Sequence, residues 1–209
     1  DSMVNNYTAS KRPRRTDEYS PGGKSGFRPD RALSVYVDMV KKSYPNTPVV
    51  IGGIEASLRR FAHYDYWSDI IMPSILVDTQ ADMLLYGMSE TQIKTLAHGL
   101  AKGWPIHKIK DIPGTCYMSR SLPKGNKYTL ISSFEEVSTE KIKFAEAFQI
   151  QSREQNPFIG STLVQKHGDL YLVQLPPAKP LSQSEMDELY RLPFTRTYHP
   201  RYKNAGGVP

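Results

Sequence analysis

The densest run of chemically able side chains begins at Gly52-Gly53-Ile54-Glu55-Ala56-Ser57 and continues through Arg59, Arg60, His63, Tyr64, Asp65, Tyr66, Trp67 and Asp69. Glycines at the end of a buried strand let the backbone approach a ligand, or another element, closely. The polar residues beyond them form either a hydrogen-bonded corner or a site. His63 and Asp65 have a spacing that some metal sites use, but no second histidine or carboxylate pair completes a ligand set. Gly87, Ser89 and Glu90 stand at the end of a second apolar run and belong with Gly52, Gly53 and Glu55 as candidates for binding a cofactor. His63, Tyr64 and Asp65 are candidates either for substrate contact or for an interface, because aromatic-rich patches mark both.

Other motifs carry less. Lys11, Arg12, Arg14 and Arg15 could hold phosphates or an RNA backbone, with Tyr7 and Tyr19 as nearby stacking surfaces, or could be a solvated charge run. Arg196 and Arg201 are further phosphate contacts on that reading. Gly22-Gly23-Lys24-Ser25 is not a phosphate loop of the Walker kind, since position 18, where that pattern needs glycine, is Glu18 and no strand precedes it. Cys116 reads as a buried inert thiol. His98, His107, His167 and His199 share no spacing.

The elements that position these residues follow from periodicity. Leu33, Tyr36, Val37 and Val40 fall on one face of a helix that ends before Pro45. Val49-Val50-Ile51 and Met83-Leu84-Leu85-Tyr86 are continuous apolar runs stopped by glycine, the pattern of parallel strands buried on both faces. Ser89 and Gln92 form a capping-box pair ahead of a helix carrying Ile93, Leu96, Ala97 and Leu100. This order predicts a parallel α/β unit from residue 30 to about 103, with the two runs as inner strands. Beyond Cys116 come a strand near Tyr128 to Ile131, a helix from about Thr139 presenting Ile142, Ala145 and Phe148, and a hairpin turning at His167-Gly168-Asp169. A second capping box, Ser182 with Glu185, precedes Met186, Leu189 and Tyr190.

The chain has 209 residues, a net charge of +6 and one cysteine, with a pI near 9.3. The charge admits anionic partners, but the basic residues fall in three separate clusters rather than one stripe. A single cysteine excludes an internal disulfide framework and any all-cysteine cluster site within the chain. No apolar run approaches the roughly 18 residues a bilayer span needs, so no membrane partner is expected, and the cytoplasm is the expected compartment. The start at Asp1 and the loop-like end at Gly206-Gly207-Val208-Pro209 read as the limits of a piece of something longer.

Four long stretches, SMVNNYTASKRPRR (2–15), YSPGGKSGFRPD (19–30), PVVIGGIEASLRRFAHYDYWSD (48–69) and VQLPPAKPLSQSEMDELYRLPFTRTYHPRY (173–202), resemble radical SAM proteins of the YgiQ type, in the region ahead of their cluster-binding core. The resemblance covers nearly the whole chain. It implies a Rossmann-like domain similar to cobalamin-binding domains, then a partial barrel whose C-x3-C-x2-C loop holds a [4Fe-4S] cluster and S-adenosylmethionine. Those cysteines are not in this sequence, so the resemblance implies a cofactor-free accessory domain that does no chemistry alone, partnered by the barrel of the same parent chain. No Asp-x-His-x-x-Gly occurs, so no histidine is identified as a cobalt ligand. The expected organisation is a Rossmann-like α/β domain with an N-terminal arm over 1–115, an α+β extension with a hairpin over 116–180, and a helix and connector over 181–209. The alternative function is a nucleic-acid-binding module, reading tRNA through the basic arm.

Overall fold

The structure, a computed structural model, describes residues 2–124 and 127–209; Asp1, Gly125 and Asn126 lie outside the described residues. In chain order, α1 (Ser2–Asn6), a 3-10 turn (Pro21–Gly23) and α2 (Ala32–Ser43) lead to β1 (Val50–Ile51) and α3 (Gly53–Leu58). There follow β2 (His63–Asp65), β3 (Ile70–Met72), α4 (Ile75–Thr79), β4 (Met83–Leu85), α5 (Glu90–Ala101) and β5 (Thr115–Ser119). The remainder is β6 (Tyr128–Ile131), α6 (Phe134–Thr139), α7 (Lys141–Arg153), β7 (Thr162–His167), β8 (Leu170–Gln174), α8 (Gln183–Tyr190) and a 3-10 segment, Pro200–Ala205. Contacts divide the chain into one unit of residues 36–180 and another made of 1–35 with 181–209.

The larger unit is α/β, built on a six-stranded sheet in the order β1-β4-β5-β8-β7-β6. Strands from both sides of residue 115 share it. The sheet is mixed: β1 pairs with β4 in parallel, Val50 opposite Met83, and β6 with β7 in parallel, while β4–β5, β5–β8 and β7–β8 are antiparallel. The predicted parallel character thus holds for the β1–β4 pair and not for the centre of the sheet. A two-residue turn at Gly168-Asp169, with Gly168 at φ 57°, allows only an antiparallel return of β8 along β7. β1, expected inside the sheet, stands at its end among the described residues.

Burial explains why β4 is apolar at every position. Met83 and Leu85 pack with Leu96, Ile106, Ile109 and Ile112, so α5 and the turn after it cover one face. Leu84, fully buried, points to the opposite face by strand alternation. Gly99 of α5 brings that helix close, since a Cβ there would lie 2.7 Å from Ile109 Cδ1. Two helix faces read from periodicity differ in the structure. On α2 only Val37 is buried, with Tyr36 and Val40 exposed, and on α7 Ala147 is buried while Ile142 and Phe148 are exposed.

In the smaller unit, Arg28 grips Asp17 with two bonds, Nε to Oδ2 at 2.8 Å and an NH2 nitrogen to Oδ1 at 2.7 Å. That pairing holds the Asp17 carboxyl down to about 2. The glycine turn at Gly22 is structural: its amide donates to Gly207 O at 2.8 Å, and a Cβ would sit 2.9 Å from Ala205 O at a φ of 65°. The Ser182–Glu185 capping box of α8 forms as its residues predict.

Candidate functional site

The parallel register sets the carboxyl ends of β1 and β4 side by side, with Gly52 against Leu85: a Cβ on Gly52 would be 3.3 Å from Leu85 O. A side chain there would press on the β4 backbone, so the close approach of the two strand ends favours this glycine. Gly53 and Gly87 differ, since their φ angles of 83° and 71° are left-handed and a Cβ on either would meet no atom within 4 Å. Side chains at these two positions would therefore meet open space. Glu55 is in the first turn of α3, and Glu90 opens α5. One carboxylate oxygen of each, Glu55 Oε1 and Glu90 Oε2, is buried without a hydrogen-bond partner.

Ser89 does not cap α5 with its side chain as predicted. Its backbone, at φ −116° and ψ 17°, is outside the extended region that aims a cap hydroxyl at the helix amides. Ser89 Oγ donates instead to Gly87 O at 3.3 Å, and Gln92 Oε1 accepts from Thr91 Oγ1.

The polar corner is an ordered structure of α3, β2 and β3. Arg59, 6% exposed, stands between two carboxylates, 3.6 Å from Glu55 Oε1 and 4.0 Å from Asp65 Oδ1. Asp65, 3% exposed, accepts from Ser68 N at 3.0 Å. Arg59 and Asp65 are buried and Glu55 is partly buried, so the guanidinium and the carboxylates it faces interact in a region of reduced dielectric. His63 Nδ1 lies 3.1 Å from Phe61 O; a carbonyl can only accept, so this nitrogen carries the proton. Tyr64 donates to Asp69 Oδ1 at 2.6 Å, and that bond raises the phenol above its ordinary value. Tyr66 and Trp67 meet edge to face at 6.0 Å.

His63 and Tyr64 also line a cavity of about 400 Å³. Arg60 enters it from the α3–β2 segment, and Phe144, Phe148 and Gln151 from α7. The volume lies in the range of small-molecule pockets. Glu55 and Asp65 are outside this lining, so the structure separates the strand-tip candidates from the cavity pair, with Arg59 and Arg60 adjacent in sequence between them.

Sequence reasoning missed the residues that tie the corner to the sheet. Arg60 Nε donates to Gln174 Oε1 at 2.6 Å, and its guanidinium lies over Tyr86 at 5.0 Å. Gln165, fully buried on β7, accepts from Ala62 N at 2.8 Å and donates to Ser132 O at 2.9 Å. The available signal was a polar residue inside an apolar hairpin strand, which predicts an internal partner without naming it.

In the basic arm, Lys11, Arg12, Arg14 and Arg15 are all exposed. Arg14 Nε is used by the fold, donating to Tyr7 O at 2.9 Å. Arg196 and Arg201 are exposed in the same unit.

A model of the family described as Radical SAM N-terminal matches residues 1–209. The chain belongs to that family. It is 56% identical over 209 residues to a UPF0313 protein of Clostridium botulinum (strain 657 / Type Ba4), covering all of this chain and 33% of the relative. A UPF0313 protein of Clostridium perfringens (strain ATCC 13124) is 50% identical over the same length, which is 32% of that relative. The chain thus spans about a third of the length of the curated relatives it matches. No solved structure matches.

The family name implies an iron–sulfur cluster and S-adenosylmethionine in the parent protein, and the donor set of this domain does not fit a cluster. Its one thiol, Cys116, is buried, and burial pushes it up to about 12, far from the thiolate that iron requires. Among the described residues, no group of three or more His, Cys, Asp or Glu side chains is arranged to hold a metal. Among the described residues, too, no helix is long and apolar enough to cross a membrane.

Proposed function

We propose that residues 1–209 are an accessory domain of a cytosolic radical SAM iron–sulfur protein, lending its catalytic core a binding surface while doing no radical chemistry themselves. What supports this reading is the pair of left-handed glycines, Gly53 and Gly87, following parallel strands β1 and β4 with room for more than a hydrogen, together with the buried, hydrogen-bond-free oxygens of Glu55 and Glu90 in the helices that follow. Ligands of parallel α/β sheets bind at such tips, where divergent loops leave space and backbone donors. The β1–β4 pair with α5 is the Rossmann-like element on this reading, and Gly52, Gly53, Glu55, Gly87, Ser89 and Glu90 form the rim toward a cofactor or substrate of the parent. His63 and Tyr64 contact substrate or the barrel from the cavity side, and Asp65 orients Arg59.

In the full-length parent, Glu90→Gln at the start of α5 keeps the shape of the rim and removes the charge of one of its carboxylates. Cleavage of S-adenosylmethionine should fall about tenfold, equivalent to about 1.4 kcal/mol, with the melting temperature nearly unchanged. Activity and melting temperature falling together would show a packing role instead.

A second reading rests on the exposure of Lys11, Arg12 and Arg15 in the unit that also carries Arg196 and Arg201. It makes the arm a tRNA-backbone contact, and binding of tRNA by the parent should then weaken steeply between two salt concentrations. Salt-insensitive binding, or none, removes it.

A further inference from the structure

Helix α2 carries apolar residues on two faces. Val37 is 4% exposed, whereas Tyr36, Met39 and Val40, spaced to share a face, are 49%, 58% and 41% exposed. The periodicity of the sequence marks Tyr36 and Val40 as core positions together with Leu33 and Val37. A helix apolar around this much of its girth is ordinarily covered on more than one side. Its neighbour β1 has a matching property. β1 ends the six-stranded sheet, pairing with β4 alone among the described residues, and the run Val49 to Ile51 is wholly β-branched and uncharged, without the lysines or bulges that protect sheet edges in water.

Chain direction identifies what belongs there. In parallel α/β units the helix that enters a strand is the crossover from a neighbouring parallel strand, with one preferred hand. Helix α2 (Ala32–Ser43) directly precedes β1 (Val50–Ile51) in the chain, the position such a crossover helix takes. Among the described residues ahead of α2 the only pairings are the isolated bridges Tyr7–Pro13 and Thr16–Lys24, which supply no strand. The relatives are about three times as long as this chain. We propose that a strand from the part of the parent chain preceding residue 1 pairs in parallel with the outer edge of β1, and that Tyr36, Met39 and Val40 of α2 pack over it. The sheet of the parent is then seven-stranded or wider, and β1 becomes an inner strand. This holds whether or not the rim binds a cofactor.

Two measurements on the full-length parent test it. Met39→Asp and Val40→Asp should each lower the melting temperature by several degrees, because a charge would be buried. Ile142→Asp, at a position 73% exposed on α7, should leave it unchanged. A photo-crosslinking residue, Tyr36→p-benzoylphenylalanine, should link to peptides preceding residue 1. The proposal is overturned if both α2 variants melt with the wild type, or if the crosslinks fall on residues after 209, on the 1–35 arm, or on a second copy.

Discussion

The two ends of the sheet are built by different rules. At one end β7 and β8 are consecutive, joined by Gly168-Asp169 and paired over five positions from His167–Leu170 to Leu163–Gln174. Helix α6 is fastened there by a full capping box, Ser133 with Glu136, and Glu135 Oε1 accepts the turn amide of Gly168 at 2.9 Å. At the other end β1 and β4 pair at only two positions, separated in sequence by α3, β2, β3 and α4. Near it lie the left-handed Gly53 and Gly87, carboxylate oxygens of Glu55 and Glu90 without hydrogen-bond partners, and the buried Arg59. Contacts close in sequence make the β7–β8 hairpin self-sufficient, whereas the β1–β4 pair is assembled from distant segments; groups buried without hydrogen-bond partners occur beside both, at His167 and at Glu55 and Glu90. Strain and unsatisfied groups of that kind concentrate at functional surfaces.

The largest effect that would break this contrast is at the arginine. Arg59→Met removes the guanidinium that faces the buried Asp65 and the partly buried Glu55 and should cost about 3 kcal/mol, read as the change in unfolding free energy of the parent. A cost under 1 kcal/mol would mean that the corner is wetter than its burial suggests. At the scaffold end, His167 stacks on Phe134 at 5.6 Å with neither ring nitrogen hydrogen-bonded among the described residues. Burial lowers it from 6.5 to about 4. Folding therefore favours the neutral ring, so its contribution is complete above pH 6.5 and lost as pH falls toward 4. Acid should remove up to about 3 kcal/mol in that window. His167→Phe should flatten the acid limb of the stability profile, and an unchanged limb would place the titration elsewhere.

Gln165 joins the two ends. Gln165→Ala strands Ala62 N and Ser132 O and should cost about 2 kcal/mol, shifting denaturation midpoints while leaving the β7–β8 hairpin amides protected from exchange. Equal loss of protection in the hairpin would show that the scaffold depends on the corner. The smallest effects separate the two helix starts. Ser133→Ala should cost about 1 kcal/mol, because its hydroxyl accepts from Glu136 N, whereas Ser89→Ala should change stability by less than about 0.5 kcal/mol, since its side chain caps nothing. Similar costs would mean that Ser89 adopts a cap geometry in solution.

The sequence by itself determined the elements whose signals are local. The β7–β8 hairpin follows from its turn residues, α8 from Ser182 and Glu185, and β4 from an unbroken apolar run ended by Gly87. Family membership was legible too, because long stretches such as residues 48–69 carry many specific positions at once. Only the tertiary structure decided that β5 inserts between β4 and β8 and turns the sheet mixed, since Thr115–Ser119 gains its pairing from residues far along the chain. It also decided that Arg59 faces both Glu55 and Asp65, that Gln165 reaches Ala62, and that Tyr36 and Val40 lie exposed despite their core-like spacing. Periodicity reports which side of a helix or strand wants burial, and the identity of what covers it depends on segments brought together only by folding.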